Sequence, residues 1–453
     1  VRVGRPSTRA NPVTPPHPAD ALIARLERRQ AVVAVLGLGY VGLPLVEALV
    51  QAGFAVVGFD IDADKVAALR RGESYLGPFA SERVRALLDS DRFTPTSDAA
   101  ALGDAEVHLL CVPTPLTPTR EPDLTAVAAA GRTVAEHLRP GRLVVLESTT
   151  YPGTTRQVLL PLLRRPGLVL GENLFVAFGP EREDPGNRDF STRRIPRLVG
   201  GLDDASGRVA VALYRQALDH VVPVRNAEVA EASKLLENTY RAVNIALVNE
   251  LKMLYDRLGI DVWEVIDAAK TKPFGFQAFY PGPGWGGHCI PVDPYYLAWL
   301  GRQVGYPARF AELAGEVNDA LPHYVAGKLA DTLAEEGKAL AGSRVLLIGM
   351  AYKRDVDDVR ESPGLELLAL LERLGARVAY HDPHVPRLAR EGRPVLESGP
   401  LTPEGLAGQD AVIVVTDHAA CDWEMVAAHA RLVVDTRNAL RAVRGPRAKV
   451  VGA

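Results

Sequence analysis

The chain has 453 residues, 47% hydrophobic and 24% charged, with a formal net charge of −3. That length exceeds one ordinary core and predicts two or three domains of a globular protein. The charge balance leaves no footprint for nucleic acid or a membrane surface, and no apolar stretch has the length of a transmembrane helix. Three cysteines neither build a disulfide framework nor show metal-site spacing, so a reducing, cytoplasmic setting with no metal is expected.

Residues 1–18 hold five prolines, three arginines and no acid, which predicts a disordered tail over 1–20. Residues 31–36 are a continuous apolar run with β-branched residues, as in a buried parallel strand. The run leads into Gly37-Leu38-Gly39-Tyr40-Val41-Gly42, a helical stretch to Gln51, a stop at Gly53 and a second strand ending at Asp60. Further strand-like runs at 107–112, 143–146 and 174–178 alternate with helical segments, giving a doubly wound α/β domain over 21–205.

From 227 to 258 the pattern is helical, with Lys234, Leu235, Leu236, Asn238, Val243, Ala246, Leu247 and Leu251 on one broad stripe and Gly259 at the end. A helix of this length bridges domains or forms a subunit interface. With a second helical region at 293–336 it predicts a central helical domain over 206–335. Strands at 344–349, 377–380, 411–415 and 432–435, with a helix at 364–374, predict a second α/β domain over 336–453. Its first strand leads into Met350-Ala351-Tyr352-Lys353-Arg354-Asp355 rather than a glycine fingerprint, which points to a different nucleotide.

Gly37, Gly39 and Gly42 supply a tight turn, backbone approach to a pyrophosphate and close helix–strand packing. Asp60, 18 residues after Gly42, is placed to accept from a ribose 2′-hydroxyl and to repel a 2′-phosphate, which favours NAD over NADP. Of the cysteines, Cys111 sits in an apolar run and Cys421 precedes a helix start. Cys289 alone lies in a glycine- and proline-rich loop, 280–294, with little bulk to hide a thiol. A dinucleotide site with a poised thiol suggests oxidation of an alcohol past the aldehyde, through a thioester, to an acid.

The chain resembles the UDP-glucose/GDP-mannose dehydrogenase family across about residues 30–450. The shared motifs are Gly37-Leu38-Gly39-Tyr40-Val41-Gly42-Leu43-Pro44, Val112-Pro113-Thr114-Pro115, Glu147-Ser148-Thr149-Thr150-Tyr151-Pro152-Gly153, Gly179-Pro180-Glu181, Lys234 with Asn238, Gly286-Gly287-His288-Cys289, and Lys353 through Arg360-Glu361-Ser362-Pro363. The resemblance implies two hydride transfers to NAD, and two Rossmann-like domains joined by a helical dimerisation core, hence a homodimer or higher oligomer. It implies Cys289 as nucleophile, Lys234 and Asn238 as oxyanion donors, Asp293 working with the lysine, Glu181 as base for thioester hydrolysis and Thr149 near the nicotinamide. Lys234 and Asn238, four apart on a helix, share a face and suit that role. Asp293 also reads as a cap for the next helix, and His288 as either an aid to Cys289 or a turn residue.

By the same resemblance Tyr40, Val41, Pro113, Thr114 and Arg360 join the glycines and Asp60 at the cofactor. Phe279, Tyr280, Gly284 and Lys353 join Glu181, Lys234 and Asn238 at a UDP-sugar. The chain departs from the UDP-glucose branch at His288, Val292 and Pro185. Segments 148–155, 272–276 and 287–294 look like the branch that oxidises UDP-2-acetamido sugars, with UDP-N-acetylglucosamine first and its galacto and manno epimers behind it. A two-electron hydroxyacid-type dehydrogenase and a non-catalytic nucleotide sensor are the rival readings.

Overall fold

Short apolar runs build two separate parallel sheets in the computed structural model, which describes residues 16–77, 79–182, 193–287, 290–390 and 392–453. The first sheet contains β1 (Val32–Leu36), β2 (Ala55–Phe59), β3 (Phe93–Thr96), β4 (Val107–Leu110), β5 (Arg142–Leu146), β6 (Leu174–Phe178), β7 (Arg197–Gly201) and β8 (Val221–Pro223). Their order is β3-β2-β1-β4-β5-β6-β7-β8, with only β6 and β7 antiparallel among the described pairs. The order reverses between β1 and β4, so the crevice for a ligand opens at the carboxyl ends of these two strands. Every residue of β4 and β6 is buried, as expected of strands covered by helices on both faces.

The second sheet contains β9 (Arg344–Ile348) and β10 (Arg377–His381), then, after a hairpin of β11 (Arg387–Arg390) and β12 (Arg393–Glu397), β13 (Ala411–Val414), β14 (Leu432–Asp435) and β15 (Lys449–Gly452). Its order is β10-β9-β13-β14-β15, all parallel. Between the sheets runs the 32-residue helix Ala227–Leu258, capped by Asn226 and ended by Gly259 at φ 69°. It packs on the helix Arg309–Glu335 and on the helix Asp293–Gln303. The fold is therefore α/β, with two Rossmann-like units joined by a helical centre.

The two α/β units repeat one another in detail. The Gly37 N–H donates to Phe59 O at 2.8 Å, and the Gly349 N–H to His381 O at 2.8 Å. Asp60, just past β2, accepts from the Leu38 N–H at 2.9 Å; Asp382, just past β10, accepts from the Met350 N–H at 2.6 Å. Asp382 also takes the N–H groups of Ala351, His384 and Val385 and a contact from the buried His418 ring. Burial works to raise its pKa, but His418 and these N–H groups hold it at about 2. A carboxylate so fully used has little capacity left for a ribose, unlike Asp60 at the corresponding place in the first unit.

Three expectations change. The tail does not extend to residue 20: a helix runs from Pro18 to Glu27, and Ala19, Leu22 and Leu26 are buried against the helix Asp204–Ala217. Residues 1–15 of that tail lie outside the described residues, as does Pro185. The first α/β unit continues past 205, because the helix Asp204–Ala217 covers its sheet and β8 pairs with β7. The stripe on the long helix divides: Lys234, Leu235, Asn238 and Ala246 are buried, whereas Leu236 and Leu247 are exposed on another face.

Candidate active site

The glycine loop joins β1 to the helix Gly42–Gln51, whose N-terminal end therefore follows the carboxyl end of β1 at the crevice. A Cβ on Gly42 would lie 1.9 Å from Gly37 O, so the helix enters at a distance only glycine allows. A Cβ on Gly39 would meet nothing within 4 Å, which leaves open space over the loop for a pyrophosphate. Asp60 is buried, accepting from Leu38 N–H and, at 3.0 Å, from Asp62 N–H, so its carboxylate is fixed beside the loop. Each of its oxygens keeps lone-pair capacity for ribose hydroxyls. These features fit NAD. Asp60→Asn is expected to raise KM for NAD about tenfold, the scale of one charge-assisted hydrogen bond, and to narrow the preference over NADP; initial rates with both cofactors check this.

Thr114 and Thr149 follow the adjacent strands β4 and β5. The Thr114 hydroxyl donates to Thr149 O at 2.9 Å, so the two loops act as one platform, while Pro113 is exposed beside it. Arg360 reaches this crevice from the other α/β unit. Its guanidinium lies 4.4 Å over the Tyr40 ring in the glycine loop and is held by both oxygens of Asp358.

Lys234, Asn238, Asp293 and Glu181 are all buried. The Asn238 amide donates to Asp293 Oδ2, joining the long helix to the start of the helix Asp293–Gln303. Burial pushes the Asp293 carboxyl up, the Lys234 ammonium and the Asn238 hydrogen bond oppose this, and Glu181 adds repulsion; the balance is about 6. Four groups recognised in separate stretches of sequence thus share one electrostatic environment. Asp293 does not cap its helix: Val292 stands at the cap position with no side-chain bond, and the Asp293 carboxylate turns to Asn238.

Cys289 and His288 lie outside the described residues. The flanking loop is closely enclosed: a Cβ on Gly287 would lie 2.9 Å from the Tyr352 ring, and the Gly287 N–H donates to Arg360 O at 3.2 Å. The second α/β unit therefore packs directly on the cysteine loop. Gly284, at φ 140°, is wedged against Pro363 and the Asn318 carbonyl, which is a packing position. Tyr280 stacks on Trp263 at 5.4 Å with its hydroxyl between Asp267 and Lys270, and Phe279 meets the edge of Tyr240. The contacts of both aromatics thus lie with the helix Val262–Ala269 and the outer face of the long helix. Lys353 is half-buried in the loop after β9.

Several structural partners were not legible in the motifs. Glu147, fully buried, accepts from Arg197 and from the Tyr214 hydroxyl, while Arg197 also donates to Gly179 O at 3.2 Å. This network joins the strand ends that carry Thr149 and Glu181. Arg437, half-buried past β14, donates Nε to Val415 O, and a Cβ on Gly282 would lie 2.5 Å from its Nη1. Its guanidinium faces the cysteine loop. Asp355, His384 and His418 have metal-like spacing, but both His418 nitrogens are taken, by the Asp355 N–H and by Asp382.

Residues 31–218 match the model of the UDP-glucose/GDP-mannose dehydrogenase family, NAD binding domain; 228–320 match its central domain and 346–442 its UDP binding domain. The UDP-N-acetyl-D-glucosamine 6-dehydrogenase of Pseudomonas aeruginosa is 34% identical over 395 residues, covering 85% of this chain and 90% of that protein. The UDP-N-acetyl-D-mannosamine dehydrogenase of Pyrococcus horikoshii is 33% identical over 415 residues, covering 90% and 96%. A solved structure of UDP-D-ManNAc dehydrogenase from Pyrococcus horikoshii superposes with a TM-score of 0.83 at 32% identity, covering 93% of this chain and 99% of that one.

Proposed function

Because the chain belongs to the UDP-glucose/GDP-mannose dehydrogenase family, we infer that it oxidises the C6 alcohol of a UDP-2-acetamido-hexose to the carboxylate in two steps. It is an NAD-dependent oxidoreductase acting on a CH–OH group. The observation that carries the finer reading is the common burial of Lys234, Asn238, Asp293 and Glu181, which gives an acid–base pair and an oxyanion site in one place.

NAD, bound over the glycine loop, supplies the hydride acceptor for both oxidations. Asp293, with a pKa of about 6, is mostly ionised at neutral pH and close enough to it to exchange a proton; with Lys234 it takes the C6 hydroxyl proton, directly or through water. The Cys289 thiolate then adds to the aldehyde carbon, forming a C–S bond. The Lys234 ammonium and the Asn238 N–H not used by Asp293 stabilise the oxyanion. Loss of the second hydride leaves a thioester. Glu181 takes a proton from a water that adds to it, the C–S bond breaks, and the carboxylate leaves with the thiolate restored. Arg437, a cation bordering the cysteine loop, and Lys353, which follows β9, bind the diphosphate from the second α/β unit. A reducing compartment, the cytoplasm, suits a catalytic thiol.

UDP-N-acetylglucosamine is the first choice of substrate, on segments 148–155, 272–276 and 287–294. The manno epimer is the second reading, favoured by the coverage of the Pyrococcus horikoshii relative. NADH release with UDP-glucose, UDP-N-acetylglucosamine and its epimers tests the choice; the highest kcat/KM on UDP-glucose overturns the acetamido reading.

The second copy of the chain belongs on the outer face of the long helix. Val229, Leu236, Tyr240, Leu247, Leu254 and Leu258 are exposed there, at steps of seven and four that form one seam. Leu247→Glu is expected to shift the species seen in sedimentation velocity from dimer to monomer. An unchanged distribution, or a monomeric parent protein, counts against this seam.

A further inference from the structure

Glu231 lies on the long helix one turn before Lys234 and two before Asn238, on the same buried face. It is 0% exposed, yet no cation pairs with it among the described residues. Its carboxylate accepts instead from the Gly153 N–H at 2.6 Å, the Thr155 N–H at 2.9 Å and the Thr155 hydroxyl at 2.7 Å. The donors lie where the loop after β5 enters the helical segment Thr155–Leu163, whose first N–H groups lack partners within the helix. That loop carries Thr149.

These bonds close a ring. Thr149 O accepts from Thr114 Oγ1; Thr114 O accepts from the Tyr296 hydroxyl at 2.8 Å; Tyr296 lies one turn after Asp293; and Asp293 accepts from Asn238. From Asn238 the long helix leads back to Glu231. Without Glu231 the Thr149 loop keeps its Thr114 tie, and the segment beyond it keeps the more exposed Arg156–Glu228 pair, but the buried anchor of Gly153 and Thr155 to the helix bearing Lys234 is lost.

We propose that Glu231 is a positioning residue that fixes the Thr149 loop, on the nicotinamide side, against the catalytic face of the long helix. The assignment rests on the proposed function. Burial raises the Glu231 pKa, the Thr155 and Gly153 donors oppose this, and the balance is about 7. The charged and titratable groups around it are Glu228 on its own helix, Arg156 from the facing segment, which pairs with Glu228, and the Tyr151 phenol of the loop. Below pH 7 the carboxyl carries a proton and no longer accepts all three bonds, so the ring loosens as pH falls.

The test uses the full chain with Glu231→Gln and Thr155→Val. Glu231→Gln is expected to lower kcat about tenfold, leave the KM for sugar within about twofold, weaken NAD binding several-fold and remove an acid limb near pH 7. Thr155→Val removes one donor to the anion, so it should move that limb to higher pH, an effect that mere loss of packing does not produce. NAD affinity is read by fluorescence titration without sugar, so it tests Glu231 even if no UDP-sugar is turned over, a result that would count against the proposed function alone. Should Glu231→Gln fail to fold, Thr155→Val decides by its pH profile or, without turnover, by the pH dependence of NAD affinity. Parental NAD affinity and pH profile in both variants overturn the proposal.

Discussion

Replacing Cys289 with alanine is expected to abolish formation of the uronic acid. The loss in turnover to acid should be about 10⁴-fold or more, the scale seen when a covalent nucleophile is removed. NAD binding should remain nearly unchanged, because the glycine loop, Asp60 and the Thr114–Thr149 platform do not depend on the thiol. The first oxidation needs only the Asp293–Lys234 pair, so this variant should still release NADH slowly with aldehyde as product. Acid formation at the parental rate would end the covalent mechanism, and quantifying NADH and acid in the same reaction decides it.

The second large effect belongs to the buried quartet. Lys234→Ala should lower kcat about 10³-fold, since it removes both the proton-relay partner and an oxyanion donor. Asp293→Asn keeps the shape and the contact to Asn238 but removes the base, and a loss of about 10²- to 10³-fold is expected. The sign of its pH effect follows from the pKa of about 6. The active carboxylate form fills as pH rises through 6, so the parent should gain activity over that range. In Asp293→Asn the limb near 6 should be absent and only the one near 7, assigned to Glu231, should remain, which a pH profile of kcat/KM from pH 5 to 8 checks.

The parts of this molecule legible in its sequence are those encoded by local pattern. Residues 31–36 had no alternative to a buried strand, the glycine spacing fixed what followed, and Gly259 marked the helix end. Each of those signals lies within a few residues of the feature it specifies. The tail boundary failed because the proline-rich composition dominated a short amphipathic helix whose buried face, Ala19, Leu22 and Leu26, is only three residues wide. The edge strand β8 failed because it has three residues, two of them exposed.

The long helix shows a different limit. Its apolar residues serve two surfaces, one around Lys234 and Asn238 and one facing outward, and a single stripe fitted to both merges them. The supporting groups of the site were illegible for a third reason. Glu231 meets Gly153 across 78 positions, and Glu147 meets Arg197 across 50 and Tyr214 across 67. Nothing local distinguishes such a glutamate from a surface one; only the fold brings its donors to it. The motif residues could be named by resemblance, but the reason Asp293 titrates near 6 lies in its burial and the repulsion of Glu181, against the opposing Lys234 ammonium and Asn238 hydrogen bond.

The central claim is that one site carries a sugar alcohol through two oxidations without releasing a free aldehyde. Its most direct measurement is the molar ratio of NADH formed to UDP-sugar consumed, with the product identified by mass. The account predicts two NADH per sugar and a product carrying a C6 carboxylate. One NADH per sugar, with an aldehyde or ketone as the final product, would contradict it.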